Sequence, residues 1–189
     1  MPPTLTWQLD RYRPLLLLQA RQMRLDPRLQ ARFDASDLVQ STYVKALEGL
    51  PAFDGHTEAE LIAWLRTILN NVAITRIRWE NAGKRDPAAE IKAWKAVLDD
   101  STACLDNWLV DKRPTPRDQA ELNEQKLRLA AAMEQLPEDQ RDVIILRYLQ
   151  KMSVAQIAAQ LRRTERAVAG LLRRGKHGLR GLMSDEGQL

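Results

Sequence analysis

Hydrophobic residues recur at three- and four-residue steps along nearly the whole chain, and no stretch shows the sustained alternation of a β-strand. This spacing predicts an all-α protein. The first helix is expected from Leu5 to Met23, and a second is expected to begin at Asp34 to Ser36 and to be stopped by Gly49 and Pro51. The apolar face of this second helix is predicted to contain Leu38, Val39, Tyr43 and Leu47.

The third predicted helix is the longest in the N-terminal half. Thr57 followed by Glu60 is the pattern of a capping box, in which side chains at a helix start bond to free backbone N–H groups. We expect this helix to run to about Asn81 and to place Trp64 in the core. Its apolar positions are Leu61, Trp64, Leu65, Ile68, Val72 and Ile77.

The composition changes at Gly83 and predicts an interdomain linker. Prolines become frequent, and five cations stand against eight anions between Asp86 and Glu121. We therefore expect a helical domain over residues 1–83, an acidic linker over 84–117 and a second helical domain over 118–189. The linker is also expected to contain a short helix at residues 91–98. We hypothesise that this acidic, tryptophan-containing linker holds the two domains together in the free protein.

The second domain is predicted to contain four helices. One runs from Gln119 to Gln135, and another is opened by Pro137. Ser153 is expected to cap a short helix that ends at Leu161, and Thr164 is expected to cap a final helix to about Leu182. Two helices joined by so short a turn, with small Ala158 at their crossing, predict a helix-turn-helix.

The charge of the last predicted helix points to duplex DNA as a partner. Seven cations stand against one anion between Arg162 and Arg180. An ordinary helical hairpin with a solvated basic face is the alternative, but the capped turn and the concentrated charge together favour DNA binding. The residues expected to face DNA, or to cap the helix that does, are Arg163, Thr164, Glu165, Arg166, Ala169, Arg173, Arg174 and Lys176.

Other classes of function receive little support from the sequence. Cys104 is the only cysteine, so neither a disulfide framework nor a cysteine-based zinc site is expected. No signal peptide or membrane span is recognisable, which leads us to expect a cytoplasmic protein. No phosphate-binding loop, nucleophile-base arrangement or metal-ligand spacing is present either. We therefore expect no enzymatic activity, no cofactor and no membrane partner.

Two stretches of the chain resemble known family motifs. The stretch from Leu136 to Met183, which contains Gln140-Arg141 and Leu146-Arg147-Tyr148, resembles the fourth conserved region of bacterial sigma factors. The stretch Asp37-Leu38-Val39-Gln40 resembles the polymerase-binding helix of the second region. The stretch Trp64-Leu65-Arg66-Thr67-Ile68 resembles the promoter-recognition helix of the same region. Both regions in this order resemble the compact extracytoplasmic-function group of the sigma-70 family.

The resemblance implies a subunit of RNA polymerase holoenzyme that directs promoter-specific initiation. It implies that core RNA polymerase is bound by Asp37, Leu38 and Gln40. The loop Leu50–Thr57 would accept a flipped base, and the C-terminal helix-turn-helix would read the minus-thirty-five element as duplex. The residues implied to lie near the minus-ten element of promoter DNA are Asn70, Asn71, Thr75, Arg78 and Trp79. The sequence leaves open whether an anti-sigma protein also binds.

The recognition helix departs from the family pattern. The family commonly has Val-Lys-Ser-Arg where this chain has Val168-Ala169-Gly170-Leu171, and Arg162 replaces the turn glycine. We therefore expect base readout to depend on Arg166, Arg173 and Arg174. A transcriptional regulator that binds promoter duplex as a dimer, without being a polymerase subunit, is the alternative function.

Overall fold

The fold is described from a computed structural model over residues 9–26, 33–80, 92, 95–96 and 116–185. The regular elements in these ranges are helical, as the hydrophobic spacing predicted. Two 3-10 turns lie at Leu9–Tyr12 and Leu50–Ala52, and a π-helical turn lies at Ile145–Leu149. The α-helices are α1 (Arg13–Leu25), α2 (Ala35–Gly49), α3 (Glu58–Glu80), α4 (Pro116–Gln135), α5 (Glu138–Ile144), α6 (Val154–Leu161) and α7 (Glu165–Asp185).

The helix starts are set mainly by side-chain caps, as the sequence predicted. The Asp34 carboxylate accepts from the backbone N–H groups of Ser36 and Asp37 at 2.6 and 3.3 Å. Ser153 and Gln156 form a complete capping box at α6. The expected start of the first helix at Leu5 lies outside the described residues, but within them Leu9–Tyr12 forms a 3-10 turn and α1 begins only at Arg13. Pro14 lies in the first turn of α1, where its missing N–H costs nothing.

The buried face of α2 differs from the predicted one. Leu38 and Val39 are buried as expected, but Leu47 is 60% exposed. Thr42 and Ala46 occupy the buried stripe instead. One residue is a 100° step around an α-helix, so Leu47, directly after buried Ala46, is turned away from the core.

The N-terminal core forms where α1, α2 and α3 pack against each other. Its largest fully buried side chains include Leu18, Met23, Leu61, Leu65 and Leu69. The C-terminal half packs α7 against α5, α6 and α4. The buried hydrophobic residues of both halves belong to one continuous cluster, because α1 and α4 also contact each other directly. The boundaries 1–83 and 118–189 stay a prediction.

Most of the predicted linker lies outside the described residues. Lys92, Lys95 and Ala96 are helical, in agreement with the short helix expected at residues 91–98. The linker's tryptophans and Cys104 lie outside, so the hypothesis that the linker holds the domains together stays untested. Helix α4 begins at Pro116, three residues before the expected start.

Two glycines of α7 give a matched pair of stability predictions. A Cβ on Gly175 would lie 2.7 Å from Ile144 Cδ1 and 3.3 Å from the Gln140 carbonyl oxygen, so Gly175→Ala should destabilise by about 1–3 kcal/mol. A Cβ on Gly170 would meet only the end of the Arg174 side chain at 3.5 Å. Because alanine favours a helix, Gly170→Ala should stabilise by up to about 1 kcal/mol.

Urea unfolding of both variants and the parent measures these changes. We expect the free energy of unfolding to fall for Gly175→Ala and to rise for Gly170→Ala. Equal stabilisation of both would show that Gly175 does not lie at a close approach of α5 and α7.

The buried side chain of Tyr12 leads us to expect that the folded protein loses stability at alkaline pH. Its hydroxyl donates to Glu58 Oε1 at 3.0 Å, and burial, followed by this carboxylate, raises the pKa of Tyr12 from 10.0 to about 12. The folded pKa exceeds the unfolded one, so this stabilisation is present below pH 10 and is lost as pH rises towards 12. The loss should reach about 2–3 kcal/mol.

The measurement is the free energy of unfolding against pH, with Tyr12→Phe as the control. Other groups also titrate over this alkaline range, so the difference between the parent and Tyr12→Phe isolates the contribution of the tyrosine. An identical decline in both proteins would contradict this assignment.

Candidate nucleic-acid interface

The turn between α6 and α7 is held in one conformation by backbone hydrogen bonds. The Arg163 N–H donates to the Ala158 carbonyl at 2.9 Å, and the Arg162 N–H donates to the Ala159 carbonyl at 3.3 Å. This is a Schellman motif, and it places Arg162 in the left-handed region with φ 53°. Glycine is favoured there, so the family's turn glycine is explained by geometry. Arg162 adopts the same conformation at a steric cost of about 1–2 kcal/mol.

The helix-turn-helix interior matches the prediction. Ile157, Ala158 and Val168 are buried, and Leu171 is 7% exposed. The Thr164 hydroxyl accepts from the Ala167 N–H at 3.2 Å and caps α7, as expected. These contacts fix the angle at which α7 leaves the turn.

The cations of α7 lie on one side of the helix. Arg166, Arg173 and Arg180 repeat every seven residues, which is close to two helical turns, and all three are exposed. The opposite side is buried and contains Val168, Leu172, Gly175 and Leu179. The remaining predicted residues Arg163, Thr164, Glu165, Ala169, Arg174 and Lys176 are exposed as well. Arg163 is not a free cation, because its guanidinium contacts Asp139 Oδ2 at 2.7 Å.

His177 belongs to the same surface, although it was not among the residues predicted to face DNA. It is exposed and lies four residues after Arg173 and eleven after Arg166. Both separations return to the same side of an α-helix. The helical period was therefore the signal that could have found it.

A second polar surface lies at the C-terminal end of α3. Asn71, Thr75, Arg78 and Trp79 are exposed; Thr75 lies four residues after Asn71, and Arg78 and Trp79 lie three and four residues after Thr75, so they share a face. Trp79 is 80% exposed. Asn70 is half-buried and lies one 100° step away from Asn71, and its contact with the minus-ten element stays a prediction. The Thr75 hydroxyl donates to the Asn71 carbonyl at 2.8 Å.

The predicted polymerase-binding residues on α2 are divided between core and surface. Asp37 and Gln40 are exposed, but Leu38 is only 3% exposed and packs in the core. The contact of Leu38 with core polymerase stays a prediction. Sequence reasoning missed Val44 and Leu47, which are 53% and 60% exposed on the same side of α2 as Asp37 and Gln40. Large apolar side chains grouped on a surface are typical of a protein-protein contact.

A groove of about 620 Å³ lies between α2 and the end of α3. Its walls bring Asp37 and Leu38, predicted for polymerase, next to Thr75 and Trp79, predicted for DNA. The two predicted sites are thus neighbours on one surface. The other lining residues are Phe33, Ser41, Lys45, Val72 and Arg76.

Hydrogen bonds and an aromatic contact hold the loop between α2 and α3 in place. The backbone N–H groups of His56 and Thr57 donate to Glu60 Oε2, and these bonds hold the pKa of Glu60 below its usual range. Phe53 packs against Trp64 with ring centroids 4.8 Å apart. Trp64 is partly buried against the core, as expected. The aromatic pair supports the base of this loop.

Two features are absent from the described residues. They contain no group of three or more His, Cys, Asp or Glu side chains arranged to hold a metal ion. None of their helices combines the length and apolar character that a membrane crossing needs.

Comparison with known proteins matches two family models to this chain. The model for sigma-70 region 2 matches residues 9–82, and the model for sigma-70 region 4 matches residues 126–177. These ranges contain both polar surfaces described above, except Arg180. A regulator unrelated to polymerase is not favoured, since its DNA-binding domain would leave the region 2 match unexplained.

Curated relatives agree with the family models. The chain is 30% identical over 144 residues to the ECF RNA polymerase sigma factor SigX of Bacillus subtilis, covering 76% of this chain and 68% of the relative. It is 26% identical over 152 residues to SigW of the same organism, covering 80% and 76%. It is 30% identical over 127 residues to the ECF RNA polymerase sigma-E factor of Salmonella typhimurium, covering 67% and 61%. The chain therefore belongs to the extracytoplasmic-function group of the sigma-70 family, and it is a sigma factor that directs transcription initiation.

Proposed function

We propose that one copy of this protein binds core RNA polymerase through α2 and promoter DNA through two separate surfaces, on α3 and on α7. The observation that carries the proposal is the one-sided distribution of exposed cations on α7, the capped second helix of a helix-turn-helix. We place its action in the cytoplasm, where polymerase works. Sigma factors are not enzymes, and we assign no catalytic residue.

The α7 surface is proposed to read the minus-thirty-five element as duplex. In a helix-turn-helix the N-terminal residues of the second helix reach base edges in the major groove. Arg166 is the exposed cation at that position, and arginine pairs bidentately with guanine. Arg173, Arg174, Lys176, His177 and Arg180 lie further along and are assigned to phosphates, which position the helix without specifying sequence.

The α3 surface is proposed to hold the minus-ten element. Trp79 offers a largely exposed ring on which an unstacked base can stack, and Arg78 beside it offers a charge for the backbone. Asn71 and Thr75 share this face, but the Thr75 hydroxyl is already bonded to the helix backbone. Asn71, Arg78 and Trp79 are therefore the contacts we expect to matter most.

The exposed face of α2 is proposed to contact core polymerase. Asp37, Gln40, Val44 and Leu47 form a mixed polar and apolar strip along it. Such a strip fits a protein partner better than it fits DNA, because two of its four residues are large exposed apolar side chains and one is a carboxylate. An anti-sigma protein that used the same strip would compete with core polymerase for this sigma factor.

The direct test is run-off transcription with purified core polymerase. Core plus this protein should give promoter-specific transcripts from genomic fragments, and Val44→Asp/Leu47→Asp should reduce core binding by about tenfold or more. Ala155→Asp, at an exposed position of α6, is the control and should bind core normally. Arg166→Ala should reduce promoter selectivity and leave core binding unchanged.

Each possible outcome of these experiments tests a different part of the proposal. No transcript from any fragment, together with no complex with core, would refute the proposed function. Normal core binding by Val44→Asp/Leu47→Asp would refute the α2 strip while leaving the DNA surfaces standing. Equal loss of core and DNA binding by Arg166→Ala would indicate misfolding and would contradict a specific role for that side chain.

A further inference from the structure

Arg163 lies where a cation is well placed to meet DNA, but it is paired inside the protein. It directly precedes Thr164, the residue that caps α7. In a helix-turn-helix the start of the second helix enters the major groove, and the phosphates of the duplex border that groove. The Arg163 guanidinium instead contacts Asp139 of α5, with 2.7 Å between Nη2 and Oδ2. One positive charge beside the proposed DNA surface is therefore neutralised by a carboxylate of the same chain.

The backbone of Arg163 is fixed, but its side chain is able to move. The Arg163 N–H donates to the Ala158 carbonyl at 2.9 Å, so the turn holds the Cα atom in place. The side chains of Arg163 and Asp139 are 41% and 58% exposed. An ion pair this open to water is weak, because solvent screens both charges. A phosphate group can therefore replace Asp139 as the partner of the guanidinium.

Asp139 lies on a helix that packs against the side of α7 facing away from DNA. Its neighbour Gln140 lies close to Gly175, where an added Cβ would be 3.3 Å from the Gln140 carbonyl oxygen. Gly175 belongs to the buried side of α7, opposite the exposed arginines of that helix. The ion pair therefore directs the Arg163 guanidinium towards α5 and away from the surface assigned to DNA.

A purely local role for Asp139 is the alternative. Glu138 and Asp139 are both acidic residues in the first turn of α5, where a carboxylate interacts favourably with the positive end of the helix dipole. That interaction needs no arginine. It predicts that neutralising Asp139 lowers stability slightly and does not strengthen DNA binding. The 2.7 Å contact with Arg163 is the observation that the local role leaves unexplained.

We propose that Asp139 competes with DNA for Arg163, and that this ion pair lowers the affinity of the α7 surface for the phosphates of promoter duplex. This inference rests on the proposed function, because it takes α7 as the surface that binds duplex. A phosphate gains the Arg163 guanidinium only after the contact with Asp139 is broken. Both residues belong to the C-terminal half of the chain, so the competition takes place within one DNA-binding unit.

The experiment measures binding of the full-length protein, by fluorescence anisotropy, to a short duplex that carries the minus-thirty-five element. Asp139→Asn should strengthen binding about three- to tenfold, because the released Arg163 gains a phosphate. The slope of log affinity against log salt should become steeper by about one. A duplex of scrambled sequence should show the same gain, since a phosphate contact carries no sequence information.

A second substitution shows whether the gain depends on Arg163. Arg163→Gln alone should change the affinity by less than about twofold, because in the parent this cation is held by Asp139. Asp139→Asn/Arg163→Gln should bind duplex as the parent does, and this non-additivity would demonstrate direct coupling between the two residues. Glu121→Gln is the control. It removes a negative charge at an exposed position of α4 and should leave the affinity within about twofold of the parent.

The inference and the proposed function fail in different ways. Unchanged or weaker duplex binding by Asp139→Asn would overturn the inference, and weaker binding would mean that Asp139 positions Arg163 for DNA. A gain that persists in Asp139→Asn/Arg163→Gln would also overturn it, because Arg163 would not be the group released. Transcription by the parent protein with core polymerase would be normal in both cases. Absence of duplex binding by every variant, together with absence of transcripts, would overturn the proposed function itself.

Discussion

Reversing two charges on α7, in the variant Arg166→Glu/Arg173→Glu, is expected to weaken binding to promoter duplex by about a hundredfold or more. Arg166 is placed to read a base, and Arg173 is placed to neutralise a phosphate. Both are exposed on one side of α7 and outside the buried stripe, so the fold should not change. The slope of log affinity against log salt should also become shallower, by about one for each phosphate that is no longer neutralised.

The control is a double variant with the same change in net charge. Arg147→Glu/Lys151→Glu alters two exposed residues of the C-terminal half that are outside α7. Its duplex binding should fall far less, because only the long-range attraction is reduced. Equal losses in the two double variants would show that net charge, and not the α7 surface, determines binding. Core binding should be unaffected in both.

The largest effect on stability is expected from Leu18→Ala. Leu18 is fully buried in α1, with 0% exposure, within the continuous hydrophobic cluster. Removing a fully buried leucine side chain costs about 3–5 kcal/mol, because it combines lost transfer free energy with a cavity. This is a large part of the roughly 5–15 kcal/mol that a folded protein has in total. Urea unfolding followed by circular dichroism measures the change.

Leu47→Ala is the matched control for this prediction. It makes the same chemical change at a leucine that is 60% exposed, so the expected loss is below about 0.5 kcal/mol. The pair also tests the position of Leu47, which the hydrophobic spacing placed in the core. A loss at Leu47 comparable with that at Leu18 would mean that α2 is rotated from the orientation described.

The sequence predicted helix ends well where a local interaction decides them. Asp34, Thr57, Ser153 and Thr164 each accept hydrogen bonds from N–H groups two or three residues away, and a short segment carries all the information for such a cap. The helical period likewise separated the buried and basic sides of α7. Residues Leu9–Tyr12 were expected in the first α-helix, but they form a 3-10 turn before α1, which has Pro14 in its first turn.

The sequence was a poorer guide to the rotation of individual helices. Leu47 was assigned to the core, and the structure contradicts this assignment, whereas Leu38, assigned to a polymerase contact, packs in the core. Each depends on which side of α2 meets α1 and α3, and α2 carries apolar residues on more than one side. Asn70 was grouped with Asn71 for a similar reason, although adjacent residues of a helix point in different directions.

The sequence by itself determined the all-α class, the capped helix-turn-helix and the two motifs by which the family is recognised. Each of these features depends on the spacing and charge of residues that are close together in the chain. Tertiary structure alone decided that the two halves pack through α1. Arg21 and Glu134 form an ion pair although more than a hundred residues separate them. Nothing in the local sequence around either residue indicates which residue it will contact. The four consecutive leucines Leu15, Leu16, Leu17 and Leu18 are evident in the sequence. Only the packing of α1 shows that two different surfaces of the protein cover them.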